Sequence, residues 1–308
     1  MKSLSVGESL IDIIIRPDKD KIFNIIGGAA LNYATIYAQS DDNTSTLLSN
    51  VGSDEHGKKI KSFLLKNKIN LIPITVNDNF TIKAMVRTKS DKSVEFKFIY
   101  KNLDNFSKLS PIDIDEYDVI SFTSAFYLWE ENYFSNVYLS ILRSAAAKKK
   151  TIVFDPNYRK DIWKSDANYY QRAQEFIKNA DFLKLKDSDI DLLEKSADLL
   201  GVKVDIRSSI KTKAVLINTK ENKQIEIYWN KDKINFEHQI INDIEDATGA
   251  GDILVSSFVN NIYGKVINKK AIIEAMNQAL ITVEKSLKNK GALGFLKDSY
   301  WEDDKIQF

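Results

Sequence analysis

An acidic residue in the first turn of an apolar helix is the feature of this 308-residue chain that points most directly to chemistry. Residues 246–252 read DATGAGD, and an apolar run follows from Ile253 onward. Gly249 and Gly251 allow a tight turn, and the N–H groups and positive dipole end of a helix start attract anionic oxygens. This arrangement indicates phosphate chemistry.

Asp252 would then lie beside a bound phosphate. A carboxylate there can accept a proton from a substrate hydroxyl while the hydroxyl oxygen attacks phosphorus. The amides of Gly249, Ala250 and Gly251 would stabilise the charge on the transferred group. The alternative is an ordinary turn in which Asp252 only caps its helix, and this motif alone does not decide between the two.

A second glycine motif lies near the N-terminus, where GGAALNYA at 27–34 leads into helical apolar spacing. Asn32 is the polar exception in this run, one turn beyond the glycine pair, and its amide can both donate to and accept from hydroxyls. Alternatively, the glycines serve close helix packing and Asn32 is a solvated helix position. The two motifs together are far more specific than either one.

With both motifs in this order and at this spacing, the chain resembles the ribokinase-like carbohydrate kinases of the PfkB family. The segment DPNYRKDIW at 155–163 is similar to one in the fructokinase and 2-keto-3-deoxygluconate kinase branch. GESLID at 7–12 and ADFLKLKDSD at 180–189 extend the likeness over nearly the entire chain. The resemblance implies an ATP-dependent kinase that phosphorylates a sugar hydroxyl.

The fold that the resemblance implies is α/β: a three-layer αβα sandwich with a mostly parallel central sheet and a small β-sheet lid. It implies one kinase domain over residues 1–308, with the lid formed discontinuously by about 11–23 and 80–105. The residues themselves indicate parallel strands, because short apolar strands at 119–122, 151–154 and 215–217 alternate with helical segments such as 133–148.

Alternation of apolar and charged residues over 94–100 predicts a strand with one solvent-exposed face, and 83–88 is its expected hairpin partner. A surface hairpin without function is one interpretation. The resemblance implies instead that these strands cover the sugar, exclude water and pair with their twin in a homodimer.

The resemblance places Asp12, Gly28 and Asn32 against sugar hydroxyls. From the residues alone, the solvent-exposed side of its strand is the favoured position for Asp12, and only the resemblance favours a ligand cleft. The resemblance also implies that Tyr100, Asn157 and Arg159 bind the sugar. From the residues alone, an arginine such as Arg159 more often forms a structural salt bridge.

For the nucleotide, the positions that match the family are Lys186, Asn218, Lys220 and Asn277. Lys220 is a departure, because the family usually has a glycine where the nucleotide approaches this strand end. The resemblance also implies that Asp246 helps to hold a monovalent cation such as K⁺, and that Mg²⁺ travels with the nucleotide and bridges its phosphates.

The DPNYR segment favours a ketose, and fructose ranks first among the substrates. A 2-keto-3-deoxygluconate kinase ranks second, because Tyr100 is followed by Lys101, and a lysine binds a carboxylate less specifically than an arginine. A ribokinase or nucleoside kinase is the third alternative. A kinase fold that binds a sugar or nucleotide without turnover, as a sensor, is the hypothesis from another class.

Composition narrows the remaining possibilities. The chain has no cysteine, so disulfides and thiolate chemistry are excluded, and its formal net charge of +1 predicts no nucleic-acid partner. No apolar stretch approaches the roughly 18 residues of a membrane span, and no signal peptide is recognised, so we expect a cytoplasmic protein without a membrane partner. No catalytic or metal-binding role is expected for His56 or His238, because they lack the paired spacing that such sites need.

Overall fold

The computed structural model describes residues 1–16, 21–74, 80–88, 94–100, 109, 111–124, 126, 133–159, 162, 168–210, 214–220, 224–236 and 243–302. The chain divides into two compact units. The first comprises Met1–Val6 and Ile112–Ile240, and the second comprises Gly7–Pro111 and Ile241–Phe308.

The strands alternate with helices along much of the chain. The strands are β1 (Lys2–Val6), β2 (Leu10–Arg16), β3 (Lys21–Gly27), β4 (Thr44–Asn50), β5 (Ile69–Ile74), β6 (Ile82–Thr88), β7 (Val94–Ile99), β8 (Val119–Thr123), β9 (Thr151–Asp155), β10 (Phe182–Lys186), β11 (Val215–Thr219), β12 (Ile225–Trp229), β13 (Asp232–Phe236) and β14 (Tyr300–Glu302). The helices are α1 (Ala29–Tyr37), α2 (Glu55–Lys66), α3 (Tyr133–Ala147), α4 (Tyr169–Asn179), α5 (Asp187–Leu199), α6 (Ile206–Ser209), α7 (Ala250–Ile262) and α8 (Lys269–Leu287).

The first unit contains a large, mostly parallel sheet. Its strands lie in the order β13-β12-β11-β10-β9-β8-β1, and the pairs from β1 to β11 are parallel, whereas β12 and β13 are antiparallel. Strands β8 and β11 consist of near-continuous apolar residues that are buried, as expected for parallel strands covered on both faces. The predicted strands and the helix at 133–148 are therefore confirmed within two residues at their ends.

Polar residues gather at the carboxyl edge of this sheet. Thr123 pairs with Asp155 across β8 and β9, and Lys186 pairs with Thr219 across β10 and β11. Each of these residues is the last of its strand, so the parallel register brings them to one edge. Ligands of open α/β sheets bind at this edge.

The second unit contains a smaller sheet in the order β14-β3-β2-β6-β7. The predicted hairpin is confirmed, because β6 and β7 pair antiparallel from Lys83 with Ile99 to Thr88 with Val94. Ile14, Phe23 and Ile25 form its buried cluster, and Val86 packs against them. The sequence did not predict β14, which pairs antiparallel with β3 and adds a C-terminal strand to this sheet. Parts of the predicted lid, at 17–20, 89–93 and 101–105, lie outside the described residues.

The same unit places its two glycine motifs on neighbouring helices. All nine residues of α1 and nine of the thirteen residues of α7 are buried, and the two helices pack against each other. Among the described residues, no helix has the length and apolar character that crossing a membrane requires. The large, mostly parallel sheet and the separate small sheet confirm the predicted mixed α/β class.

Candidate active site

The glycine turn before α7 delivers Asp252 into the first turn of that helix, as the sequence predicts. Gly249 precedes the helix with a φ of 70°. A Cβ added at Gly249 would lie 2.3 Å from the Cβ of Ala292, which is far closer than two carbon atoms can approach. The turn therefore requires glycine at this position for both its backbone conformation and its packing.

The amides of this turn are partly engaged by neighbouring oxygens. Ala250 N donates to Ala247 O at 3.3 Å, which is a long hydrogen bond, and Thr248 N donates to Asp246 Oδ1 at 2.8 Å. Gly249 has no side chain with which to cap the helix. The start of α7 thus keeps the positive dipole end that an anionic oxygen favours.

Asp252 is buried and hydrogen-bonded across to the other glycine motif. Its Oδ2 accepts a hydrogen bond of 2.8 Å from Nδ2 of Asn32, and Asn32 is only 3% exposed. The interpretation of Asn32 as a solvated helix position is therefore wrong. Burial of both side chains and their direct bond place the two motifs at one site.

Asp12 lies beside the glycine pair of the first motif. Asp12 is buried on β2, so the prediction that it occupies the solvent-exposed side of its strand is wrong. A Cβ on Gly27 would come within 2.6 Å of Asp12 Oδ2, and a Cβ on Gly28 within 2.6 Å of Glu8 O. Both glycines are needed to bring backbone and carboxylate this close. Tyr100 follows β7 and is half-buried.

Asp246 holds two turns of the second unit together. Besides Thr248 N, it binds Gly291 N, which donates to Oδ2 at 3.0 Å. Gly291 has a φ of 68°, and a Cβ there would lie 2.3 Å from Cγ2 of Ile25. Each carboxylate oxygen of Asp246 accepts one backbone hydrogen bond and retains a second lone pair.

In the first unit, a buried ion pair lies at the carboxyl edge of the large sheet. Lys184 Nζ is 3.1 Å from Oδ2 of Asp155 and donates to its Oδ1 at 3.3 Å, and both side chains are almost fully buried. Asn157 follows with a positive φ of 45°, and its N–H also donates to Asp155 Oδ1, at 3.1 Å. Asparagine is one of the non-glycine residues that adopt this left-handed conformation most readily.

Positive charge concentrates around this pair. Repulsion from Lys184 lowers the pKa of Lys186, and desolvation and the charge of Arg159 lower it further. Arg159 is half-buried, and its Nη1 donates to Tyr158 O at 3.1 Å. Burial raises the pKa of Asp189, although Lys184 and the N–H of Lys186, which donates to Asp189 Oδ2 at 2.9 Å, oppose the shift. The local field would favour an anionic ligand.

Lys220 at the end of β11 is held by two acids. Its Nζ lies 3.4 Å from Asp187 and 3.3 Å from Glu226. Glu226 also binds Lys233 at 2.5 Å, so the carboxylate joins two lysines. Asn218 is fully buried: its Nδ2 donates to Leu185 O at 3.2 Å, whereas its Oδ1 has no partner among the described residues.

The predicted site residues thus fall into groups that lie in different units. The second unit contains Asp12, Gly28, Asn32, Tyr100, Asp246, Gly249, Ala250, Gly251, Asp252 and Asn277, and the first unit contains Asn157, Arg159, Lys186, Asn218 and Lys220. Among these residues, one side-chain hydrogen bond joins Asn32 directly to Asp252. Asn277 lies on the exposed face of α8.

The sequence did not predict the ion pair between Asp155 and Lys184. The available signal was a lysine within the otherwise apolar strand FLKLK. Lysines are seldom fully buried unless they are paired. That pattern could have predicted a buried acid nearby, but it could not have identified Asp155 as the partner.

Comparison with known proteins gives the family. A model described as pfkB family carbohydrate kinase matches residues 1–289. "Probable fructokinase-6, chloroplastic" of Arabidopsis thaliana is 25% identical over 289 residues, which are 89% of this chain and 73% of that relative.

Two solved structures show the same fold. Aminoimidazole riboside kinase from Salmonella enterica, complexed with aminoimidazole riboside and an ATP analog, matches with a TM-score of 0.74 at 15% identity, over 96% of this chain and 97% of that one. A fructokinase double mutant from Vibrio cholerae O395, in its fructose, ADP and potassium ion bound form, matches with a TM-score of 0.73 at 17% identity, over 95% and 94%.

The family match includes both glycine motifs, which the hydrogen bond from Asn32 to Asp252 joins at one buried site. The matches in fold extend over nearly all of the chain. This chain therefore belongs to the pfkB family of carbohydrate kinases, which are phosphotransferases acting on a sugar hydroxyl.

Proposed function

We propose that this sugar kinase transfers the γ-phosphoryl group of ATP to a hydroxyl of a ketose, with fructose as the first choice. The observation that carries the proposal is the buried carboxylate of Asp252 in the first turn of α7, held by the amide of Asn32. A fixed carboxylate at a helix start combines a proton acceptor with a binding place for anionic oxygens.

In the proposed reaction the sugar oxygen attacks the γ-phosphorus, and the bond from that phosphorus to its bridging oxygen breaks. The hydroxyl proton moves to the carboxylate of Asp252, and ADP leaves with the bridging oxygen. The amides of Gly249, Ala250 and Gly251 would stabilise the charge on the transferred group. Ala250 would have to give up its long bond to Ala247 O, which costs little because that bond is weak.

The sugar would be bound by the polar groups of the second unit around Asp252. Asp12 is buried against Gly27, and Gly28 brings its backbone close, so both can meet hydroxyls without solvent competition. Tyr100 would contribute from the end of β7, and Asn157 and Arg159 are proposed as further sugar-binding residues of the first unit. We assign the nucleotide to Lys186, Asn218, Lys220 and Asn277.

Two kinds of cation are proposed to take part, a divalent ion bound with the nucleotide and a monovalent ion. Among the described residues, no group of three or more His, Asp or Glu side chains could hold a metal ion. Mg²⁺ is proposed to arrive with the nucleotide, whose phosphate oxygens would hold it, and it would neutralise their charge when bound. Asp246 is proposed to contact a monovalent cation such as K⁺ with the lone pairs that its two backbone hydrogen bonds leave.

The choice of fructose is supported by the comparison with the plant relative, whose name is a fructokinase. A riboside kinase has the same fold, so ketoses and ribosides must be compared as substrates. The substrate must therefore be measured. ATP consumption with fructose, 2-keto-3-deoxygluconate, ribose and adenosine would separate the alternatives, and ligand binding without turnover on any of them would favour a sensor.

Replacement of the base tests the mechanism. Asp252→Asn should lower kcat by about two to four powers of ten while sugar binding remains near normal, because the amide keeps the size of the side chain but cannot accept the proton. Asp205→Asn is the matched control, since Asp205 is an exposed acid before α6 that only caps its helix, and asparagine caps equally well. A near-normal kcat in Asp252→Asn would refute the assigned role.

A further inference from the structure

We infer that Lys184 is a positioning residue that fixes two ligand-binding segments of the first unit: the turn after β9, through Asp155, and the start of α5, through Asp189. The inference rests on the proposed function, in which the turn after β9 binds the sugar with Arg159 and the start of α5 binds the nucleotide with Lys186. Lys184 itself would touch neither substrate.

Lys184 occupies a position inside the protein that an apolar residue would normally fill. Its residue is only 4% exposed. The register of β9 and β10, in which Leu183 pairs with Phe154, places it beside Asp155. A buried ion pair seldom adds stability over a well-packed apolar pair, because the desolvation of both charges offsets their attraction. The groups that Lys184 orients therefore explain the pair better than stability does.

The contact with Asp155 fixes the turn after β9. The ammonium of Lys184 lies 3.1 Å from Asp155 Oδ2 and 3.3 Å from Oδ1, so it holds both carboxylate oxygens. Oδ1 also accepts the N–H of Asn157 at 3.1 Å, which closes a turn over two residues. Asn157 has a positive φ of 45°, and the carboxylate maintains this conformation. The chain then continues directly to Arg159.

The charge of Lys184 also acts on the start of α5. Asp189 is buried, and its Oδ2 accepts the N–H of Lys186 at 2.9 Å. Burial raises the pKa of Asp189, and the charge of Lys184 is the largest of the influences that oppose this rise. An ionised carboxylate holds an N–H more strongly than a neutral one. Lys186 is exposed, so its side chain can reach a ligand while its backbone is fixed.

A variant that leaves no buried ion unpaired tests the inference. Lys184→Met with Asp155→Asn removes both charges, and Asp155→Asn keeps an oxygen for the N–H of Asn157. We expect this double variant to raise the KM for the sugar and the KM for ATP about tenfold each, the equivalent of one lost hydrogen bond. The value of kcat should stay within about threefold, because the base Asp252 belongs to the second unit and is unchanged.

Arg143→Met with Glu175→Gln is the matched control. These residues form a largely exposed ion pair of the first unit, with hydrogen bonds of 2.7 and 2.9 Å, and it joins α3 to α4 instead of holding a ligand-binding turn. Both KM values of this control should equal those of the wild type. Urea denaturation verifies folding, and Lys184→Leu replaces Lys184→Met if the latter variant does not fold.

Asp189→Leu separates the two contacts. It removes the acceptor of the N–H of Lys186 but leaves the pair of Lys184 and Asp155 in place. The KM for ATP should therefore rise about tenfold, while the KM for the sugar stays that of the wild type.

The pH dependence of ATP binding is a readout that loss of packing alone would not move. Repulsion from Lys184 is the largest cause of the lowered pKa of Lys186, followed by desolvation and the charge of Arg159, whereas Asp189 and Asp155 oppose the shift. In the wild type, the KM for ATP should rise at alkaline pH as Lys186 loses its proton. In the double variant this rise should move to higher pH, because the largest lowering influence is gone.

Each result supports or overturns the inference. Wild-type KM values in the folded double variant, or a rise of the KM for ATP at the same pH in both proteins, would overturn it. A wild-type protein that phosphorylates no sugar would overturn the proposed function instead. Calorimetry with ATP would still test the contact through Asp189 in that case, since it needs no turnover, so the two failures are distinguished.

Discussion

Gly249→Ala should destabilise this protein far more than a glycine replacement normally does. Two costs add. An alanine at a φ of 70° adopts the left-handed conformation, which costs roughly 1–2 kcal/mol. Its Cβ would also lie 2.3 Å from the Cβ of Ala292, where an ordinary contact is about 3.5–4 Å, so one of the two turns must move by more than 1 Å. Such overpacking costs about 1–3 kcal/mol. The sum is about 2–5 kcal/mol.

Gly264 provides the control that separates these costs. It has a φ of 77° and lies in the same unit, but an added Cβ would meet nothing within 4 Å. Gly264→Ala should therefore lose only the conformational part, roughly 1–2 kcal/mol. The difference between the two variants measures the steric contact with Ala292.

Urea denaturation followed by circular dichroism gives the free energies of unfolding, and steady-state kinetics on the accepted sugar gives kcat. Gly249→Ala should also lower kcat about ten- to a hundredfold, because the new methyl group crowds the amide that holds Asp252. Gly264→Ala should leave kcat unchanged. Equal losses of stability in the two variants would refute the packing argument, and a normal kcat in Gly249→Ala would refute the link to the base.

Two further predictions concern the first unit. Lys184→Met should lower the free energy of unfolding by about 3–5 kcal/mol, because it leaves the carboxylate of Asp155 buried without its cation. The double variant with Asp155→Asn should recover most of that loss. Urea denaturation measures both, and a mild effect of Lys184→Met alone would contradict the pairing. Lys220→Gly should lower the free energy of unfolding by at most about 1 kcal/mol, since the ion pairs of Lys220 are partly exposed, but it should change the KM for ATP. Lys233→Ala also removes a partner of Glu226 and should leave that KM unchanged. Equal KM values in the two variants would argue against a nucleotide role for Lys220.

The parts of the fold that the sequence predicts are those with a local cause. The strand at 119–122 follows from an apolar run bounded by polar residues, and the hairpin of β6 and β7 follows from alternation along the chain. The start of α7 follows from glycines before an apolar helical pattern. Each of these patterns is decided within about ten residues, so no knowledge of distant contacts is needed.

Strand β14 illustrates what a local pattern cannot decide. Three residues near the C-terminus carry too short a pattern to distinguish a strand from a loop, and they become a strand because β3 offers them its edge. Lys59 lies 4.0 Å above the ring of Trp301, which fixes the same segment from α2. Both interactions join residues that are distant in the sequence. The homodimer and the cytoplasmic location stay predictions for the same reason, since neither is a property of one local segment.

The bond between Asn32 and Asp252 lies between these cases. Each residue is recognised from its own motif, but the motifs are 220 residues apart, and nothing in either one states that the two side chains touch. The contact depends on Gly249, because any Cβ there would crowd both the Asn32 amide and Ala292. The positions are therefore coupled: replacing Gly249 should disturb the base through Asn32 even when Asp252 itself is intact. A sequence argument that treats each motif separately identifies the participants but not this dependence, which follows only from the packing of α1 against α7.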